Sequence, residues 1–267
     1  MSSFLFVKNK KIYYTDSGKG ETIVLLHGYL ESLEIWNEFS KELSKKFRVI
    51  AFDIPGHGKS DMLSEIHSMD MLAETVYHAL KKLEIKTCFM LGHSMGGYAV
   101  LMFHKLFSEM LSGFSLFHSH PFADSEESIN KRLREIELVK DGKKDLIATF
   151  NTPFAFASDN TDQFQAEIET AKKIALKTSQ EGIIANLHAM MSRPDLSESL
   201  KKTLIPFLYI FGKKDNYIDF KTVVPKIKMP VKSELYVLEN SGHMGFIEEK
   251  TESINILINF IQKHIKS

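Results

Sequence analysis

Leu91-Gly92-His93-Ser94-Met95-Gly96-Gly97 decides how this chain is read. Gly92 to Gly96 fits the pattern G-x-S-x-G, in which a serine stands on a sharp turn joining a strand to a helix. The flanks agree: Thr87-Cys-Phe-Met-Leu91 is a continuous apolar run suited to a buried strand, and Tyr98 to Phe107 suits a helix. Glycines two before and two after the serine let the backbones approach and leave the serine strained but exposed. Ser94 is thus the candidate nucleophile.

Outward from this turn, short β-rich runs alternate with helical periods over residues 1 to about 118, the signature of a mostly parallel sheet. Phe4 to Val7 and Ile12 to Thr15 read as an opening hairpin, and Thr22 to Leu26 and Phe47 to Phe52 as further strands. Leu72, Val76, Leu80 and Leu83 recur at helical spacing behind Ser68, a plausible N-cap. Phe114 to Phe117 suits a sixth strand. From 121 to 203 only helical periods follow, at Ile129 to Val139, Phe164 to Leu176 and Ile183 to Met191. Strands resume at Pro206 to Phe211 and Leu235 to Leu238, and a last helix carries Ile254, Leu257, Ile258, Ile261 and Ile265. The expectation is an α/β core from 1–120 and 204–267, with 121–203 inserted as a helical unit after strand 6.

A serine hydroxyl needs a base, and the base needs an orienting acid. In an elbow of this kind the chain order is serine, acid, histidine. His243, in Ser241-Gly-His-Met244, lies between a predicted strand end and the last helix and is the candidate base. Asp215 occupies the loop that leaves the preceding strand and is favoured as the acid, with Asp219 and Asp124 as alternatives. Both His243 and Asp215 fall at carboxyl ends of strands, where open α/β sheets place their ligands. Attack on an acyl carbon creates an oxyanion, which two preset backbone N–H groups can stabilise. Met95, next to the nucleophile, supplies one, and Tyr29, in the loop Leu26-His27-Gly28-Tyr29-Leu30, supplies the other.

Composition bounds the alternatives. The chain has 267 residues, 43% apolar and 25% charged, which is ordinary globular usage. Lys plus Arg and Asp plus Glu each total 34, so no basic surplus points to nucleic acid or an anionic membrane. Cys88 is the only cysteine, which excludes an internal disulfide and fits a reducing, cytoplasmic home with the thiol buried and inert. The first ten residues lack a signal-peptide pattern, and no apolar run approaches the roughly 18 residues of a membrane helix. A monomer or small homo-oligomer without cofactor or metal is expected.

Together these segments resemble the α/β-hydrolase superfamily, in particular its capped esterase and lipase-like members, over essentially the whole chain. The match rests on His27-Gly28, on Asp53-Ile-Pro-Gly-His-Gly-Lys-Ser60, on the elbow at Ser94, and on Gly212 to Asp215 with Gly242-His243. The resemblance implies the α/β-hydrolase fold, makes Asp53 to Ser60 a structural loop, and makes His57 and His93 scaffold or pocket wall. It also implies that 121–203 forms a lid, in which Phe150, Phe154, Phe156, Leu187, Met190 and Met191 either line an apolar pocket or pack the lid onto the sheet. His27, Gly28, His93, His118, His120, Phe150, Phe154, Met190 and Met244 are the candidate pocket residues. His118-Ser119-His120 is the peculiar feature: two rings on one face of a strand can hold a metal, line a polar pocket, or serve structural hydrogen bonds.

The expected chemistry is hydrolysis of a small, largely apolar carboxylic ester through an acyl-enzyme, with thioesters and lactones open to the same machinery. Perhydrolysis of the cofactor-free haloperoxidase type and C–C bond hydrolysis also use a serine triad. A hydrolase scaffold used as a small-molecule sensor is the alternative from another class, and a purely structural scaffold is a third.

Overall fold

In the computed structural model, which describes residues 2–264, eight strands form one sheet. They are β1 (Ser2–Val7), β2 (Lys10–Ser17), β3 (Thr22–Leu26), β4 (Arg48–Phe52), β5 (Cys88–His93), β6 (Leu111–Phe117), β7 (Phe207–Gly212) and β8 (Ser233–Leu238). Their order across the sheet is β1-β2-β4-β3-β5-β6-β7-β8. β2 pairs antiparallel with both neighbours, and all other pairs are parallel. Every predicted strand is present, with boundaries displaced by at most three residues. Pro206 stays outside β7, which begins at Phe207.

The central strands read as unbroken apolar runs because both of their faces are covered. Val24 and Leu26 join one core while Ile23 and Leu25 join the other, as a two-residue period requires. Val24, Leu25, Ile50, Met90 and Leu208 are all 0% exposed; each such side chain contributes about 1.5–3 kcal/mol by leaving water.

Helices cover the two faces. α1 (Asn37–Leu43) places Phe39 and Leu43 in the core that also receives Leu257 and Phe260 of the C-terminal helix. α2 (Met69–Lys82) and α3 (Met95–Phe107) cover the opposite face with Leu72, Val76, Leu80 and Val100. Ser68 does cap α2, its hydroxyl accepting the Met71 N–H.

Between β6 and β7 the chain is helical throughout its regular elements: α4 (Glu126–Lys140), α5 (Lys144–Phe154), α6 (Gln165–Leu176), α7 (Gln180–Met191) and α8 (Ser197–Lys201). Two short turns, α9 (Phe220–Val223) and α10 (Gly245–Glu248), precede the last helix, α11 (Lys250–His264). Ile265, assigned above to that helix, lies outside the described residues. Among the described residues no helix is long and apolar enough to cross a membrane. Cys88 is buried, and burial pushes its thiol pKa up to about 12, as an inert side chain requires.

The sheet reverses direction between β3 and β5, since β4 lies on one side of that pair and β6 on the other. Open α/β sheets bind ligands at such a switch point. Leu26 is in register with Gly92 across it, so the chain leaving β3 emerges beside the turn that carries Ser94.

Candidate active site

The turn after β5 has the strain that its sequence implied. Ser94 has φ 49° and ψ −116°, outside the regions open to an ordinary L-residue. A Cβ at Gly92 would sit 2.3 Å from the Gly96 carbonyl oxygen, and one at Gly96 would sit 2.3 Å from that of Leu26. Only glycine fits at either position. The turn is fastened by the Ser94 N–H to the Phe117 carbonyl (3.0 Å) and by the Ser119 hydroxyl to the Ser94 carbonyl (2.9 Å).

Asp215 and His243 meet as predicted, Oδ2 to Nδ1 at 2.7 Å. Asp215 Oδ1 accepts the N–H groups of Tyr217 (2.8 Å) and Ile218 (2.9 Å), so the carboxylate is held at both oxygens. Burial alone would raise the Asp215 carboxyl, but the facing His243 and the hydrogen bonds from His118 and His243 hold it well below the usual carboxylate range. Burial likewise opposes charge on His243, and the Asp215 carboxylate outweighs it, raising His243 above its ordinary value. Ser94 and His243 line one cavity of about 520 Å³. Among the described residues no direct hydrogen bond joins their side chains, a looseness common before substrate binds.

Neither alternative acid pairs with His243 among the described residues. Asp219 is exposed and accepts the Lys221 N–H as the cap of α9. Asp124 is bound by Arg132 (2.6 Å) and Arg193 (2.7 Å).

Tyr29 lines the cavity, and Met95 opens α3 beside it, where a first-turn N–H has no helical partner. Among the described residues neither N–H group donates to a backbone carbonyl outside regular helices and strands. The Tyr29 hydroxyl donates to Glu135 on α4 at 2.8 Å, tying this loop to the helices above. Burial raises the Glu135 carboxyl.

Several predicted pocket residues require correction. His93, His120, Phe154, Met190 and Met244 do line the cavity, but His27, Gly28, His118 and Phe150 do not. His27 is fully buried, and its Nε2 accepts the Ile54 N–H (2.9 Å), tying the loops after β3 and β4. Gly28 lies beneath the cavity wall against His93 and Glu31. Phe150 points outward, 67% exposed. Phe156 and Leu187 are fully buried and pack the helical segment, while Met191 packs half-buried against the same core as Leu187. His57 is buried against the His27 ring (5.1 Å), and Asp53 accepts the N–H groups of Leu33 and Lys59 (both 2.7 Å), as a structural loop should.

His118 and His120 do not share a strand face, because β6 ends at Phe117 and His118 turns away with φ 48°. His120 faces Tyr98 and the cavity (5.5 Å between rings). His118 is fully buried, its Nδ1 3.3 Å from Asp215 Oδ2 and its Nε2 3.2 Å from the Gly245 nitrogen. Burial lowers its pKa to about 4, so the ring is neutral near neutral pH. Among the described residues His118, Asp215 and His243 are close enough together to hold a metal ion, but the Asp215–His243 hydrogen bond already occupies the atoms that would bind it.

Two features escaped the sequence reading. One is Glu31, whose Oε2 accepts the Gly28 N–H (2.6 Å) and faces His93 Nδ1 (3.0 Å). Burial alone would raise this carboxyl, and His93 and the Gly28 N–H overcome that and hold it below its ordinary value. The other is the polarity of the cavity, which Asp124, Lys131, Arg132 and Glu135 all line. The predicted largely apolar pocket is therefore corrected. The charged side chains project inward from α4 and the segment before it, whose outer face instead exposes Leu133 and Leu138.

Comparison with known proteins bears on the same fold. Residues 21–127 match the family model described as alpha/beta hydrolase fold. The chain is 26% identical over 279 aligned residues, covering 96% of this chain and 92% of the other, to the 2-hydroxy-6-oxononadienedioate/2-hydroxy-6-oxononatrienedioate hydrolase of Escherichia coli K12. Its structure is similar to that of a malate-bound thermophilic esterase from Thermogutta terrifontis (TM-score 0.92, 23% identity, all of both chains). An esterase from Exiguobacterium antarcticum is also similar (TM-score 0.88, 23% identity, 98% of this chain and 100% of that one). At such identities the two structures speak for the fold.

Proposed function

From the premise that the chain is a member of the α/β-hydrolase superfamily, we propose that it is a serine hydrolase of small carboxylic esters. The observation that carries this reading is the 2.7 Å hydrogen bond between Asp215 and His243 in the cavity that also exposes the strained Ser94. With Nδ1 committed to Asp215, Nε2 is the nitrogen available to take the Ser94 proton. Ser94 Oγ then attacks the acyl carbon, the backbone N–H groups of Tyr29 and Met95 stabilise the oxyanion, and His243 returns the proton to the leaving alcohol. Water completes the cycle on the acyl-enzyme by the same proton path. In this reading residues 121–203 are a lid over a core of 1–120 and 204–267.

The cavity wall favours a substrate with a polar or anionic portion. Asp124 is shared by two guanidinium groups, Arg132 and Arg193, so its charge is more than balanced. Arg132 lines the cavity and directs only Nε and one terminal nitrogen at Asp124. Its remaining nitrogen suits a carboxylate. Arg132→Met is therefore expected to lower kcat/KM for the monomethyl ester of a dicarboxylic acid by about 10- to 100-fold relative to a neutral methyl ester of similar length, the worth of a hydrogen bond to a charged group. An unchanged ratio would remove the anion preference.

A chain-length series of p-nitrophenyl esters, run beside thioesters and lactones with a Ser94→Ala control, tests the reaction class. The pH profile adds an independent check. His243 must be neutral to accept the serine proton, and its pKa is raised above the ordinary 6.5, so kcat/KM should fall with acid along a limb centred above 6.5. A midpoint below that value contradicts the Asp215–His243 pairing in solution.

A second reading, C–C bond hydrolysis, is favoured by the curated relative that covers nearly the whole chain. It predicts turnover of a 2-hydroxy-6-oxo-dienoate at least as fast as that of any ester in the series.

A further inference from the structure

Beside the pair Asp215–His243 stands a second buried carboxylate–imidazole pair, Glu31–His93, which the proposed mechanism does not use. Glu31 is 8% and His93 0% exposed. The Nε2 of His93 meets the His243 carbonyl oxygen at 2.8 Å. A carbonyl can only accept, so Nε2 carries a hydrogen. Nδ1 faces the Glu31 carboxylate at 3.0 Å. The ring thus bridges a carboxylate and a carbonyl.

A buried carboxylate set against an imidazole is a poor source of stability, because desolvation offsets most of the attraction. Placement explains this one better. Glu31 Oε2 accepts the N–H of Gly28, whose next residue is Tyr29; His93 directly precedes Ser94; the carbonyl it binds is that of His243 itself. Three loops, carrying oxyanion donor, nucleophile and base, are joined through two side chains. A Cβ at position 28 would lie 2.9 Å from His93 Nδ1 and 3.0 Å from Glu31 Oε2, so the glycine leaves the room this junction needs. The His93 ring is held by Phe246 (4.9 Å) and His243 (4.8 Å).

We propose that Glu31 is a positioning residue, which through His93 fixes the oxyanion donor of the Tyr29 loop relative to Ser94 and His243. This rests on the serine-hydrolase reading. The pair acts on the transition state and not on substrate binding, since what it sets is the spacing of groups that meet developing charge.

The test measures kcat and KM for p-nitrophenyl acetate, Ki for a trifluoromethyl ketone and labelling by a fluorophosphonate, in wild type, Glu31→Gln and Glu31→Ala. The ketone forms a tetrahedral adduct that needs the oxyanion hole, so its Ki reports that geometry. Glu31→Ala is expected to lower kcat by about 10²–10³, the effect of losing an oxyanion-hole donor, to weaken Ki by a similar factor, and to leave KM within about threefold. Glu31→Gln keeps an acceptor for the Gly28 N–H but loses the carboxylate that faces His93, so a smaller fall in kcat, matched in Ki at unchanged KM, is expected. If Glu31→Ala does not fold, Glu31→Gln decides alone: a fall in kcat matched by Ki at constant KM supports the proposal, and wild-type kcat and Ki overturn it. Folded Glu31→Ala with wild-type kcat, or with a change confined to KM, also overturns it while the serine-hydrolase reading stands. A wild-type protein that neither turns over the ester nor reacts with the fluorophosphonate overturns both.

Discussion

Ser94→Ala is expected to lower turnover of an activated ester by about six orders of magnitude, the loss measured when the nucleophile of a subtilisin triad is removed. The size follows from what the hydroxyl alone supplies: without Oγ no acyl-enzyme forms, and the remaining donors can only polarise the carbonyl toward water. The fold should be unaffected, because the strain at φ 49° falls on backbone and Cβ, which alanine shares with serine. The measurement is steady-state hydrolysis of p-nitrophenyl acetate with a thermal melt of both proteins. Residual activity above about one part in a thousand, from a variant melting with wild type, would show that another group attacks the ester.

The elbow was legible because its requirement is local. Gly92 and Gly96 are needed for contacts within a few residues and with the neighbouring strand, and strand, turn and helix follow one another directly. Thr22–Leu26 and Phe207–Gly212 were legible because burial on both faces leaves an unbroken apolar run. On α5, Leu146 and Phe150, four residues apart, both face solvent. An outward apolar stripe looks the same in sequence as an inward one, so Phe150 was assigned to a pocket it does not reach. His118 misled for another reason: its φ of 48° breaks the strand alternation on which the paired-ring reading depended. Glu31 and Glu135 act through partners 62 and 106 residues away, separations that no local pattern records.

The acid was the triad member with rivals, and Asp215→Asn separates them. Asp215 Oδ1 accepts two backbone N–H groups, so an asparagine must put its carbonyl there and its amide nitrogen in the place of Oδ2, against His243. An N–H facing Nδ1 makes that nitrogen the acceptor and moves the ring proton to Nε2, the atom that should receive the Ser94 proton. The base is then present in the wrong tautomer. The same change in a serine protease triad costs about 10⁴ in kcat, and that loss is expected here. Removing the carboxylate charge also removes what raises His243, so the acid limb of the residual activity should move to lower pH. Asp219→Asn, at an exposed helix cap, should leave kcat within about twofold, since asparagine caps a helix as well as aspartate does and no catalytic group is touched. If instead Asp219→Asn removed activity and Asp215→Asn spared it, the acid would have to reach His243 by a rearrangement of the β7–α9 loop, and the 2.7 Å pair would lose its catalytic meaning.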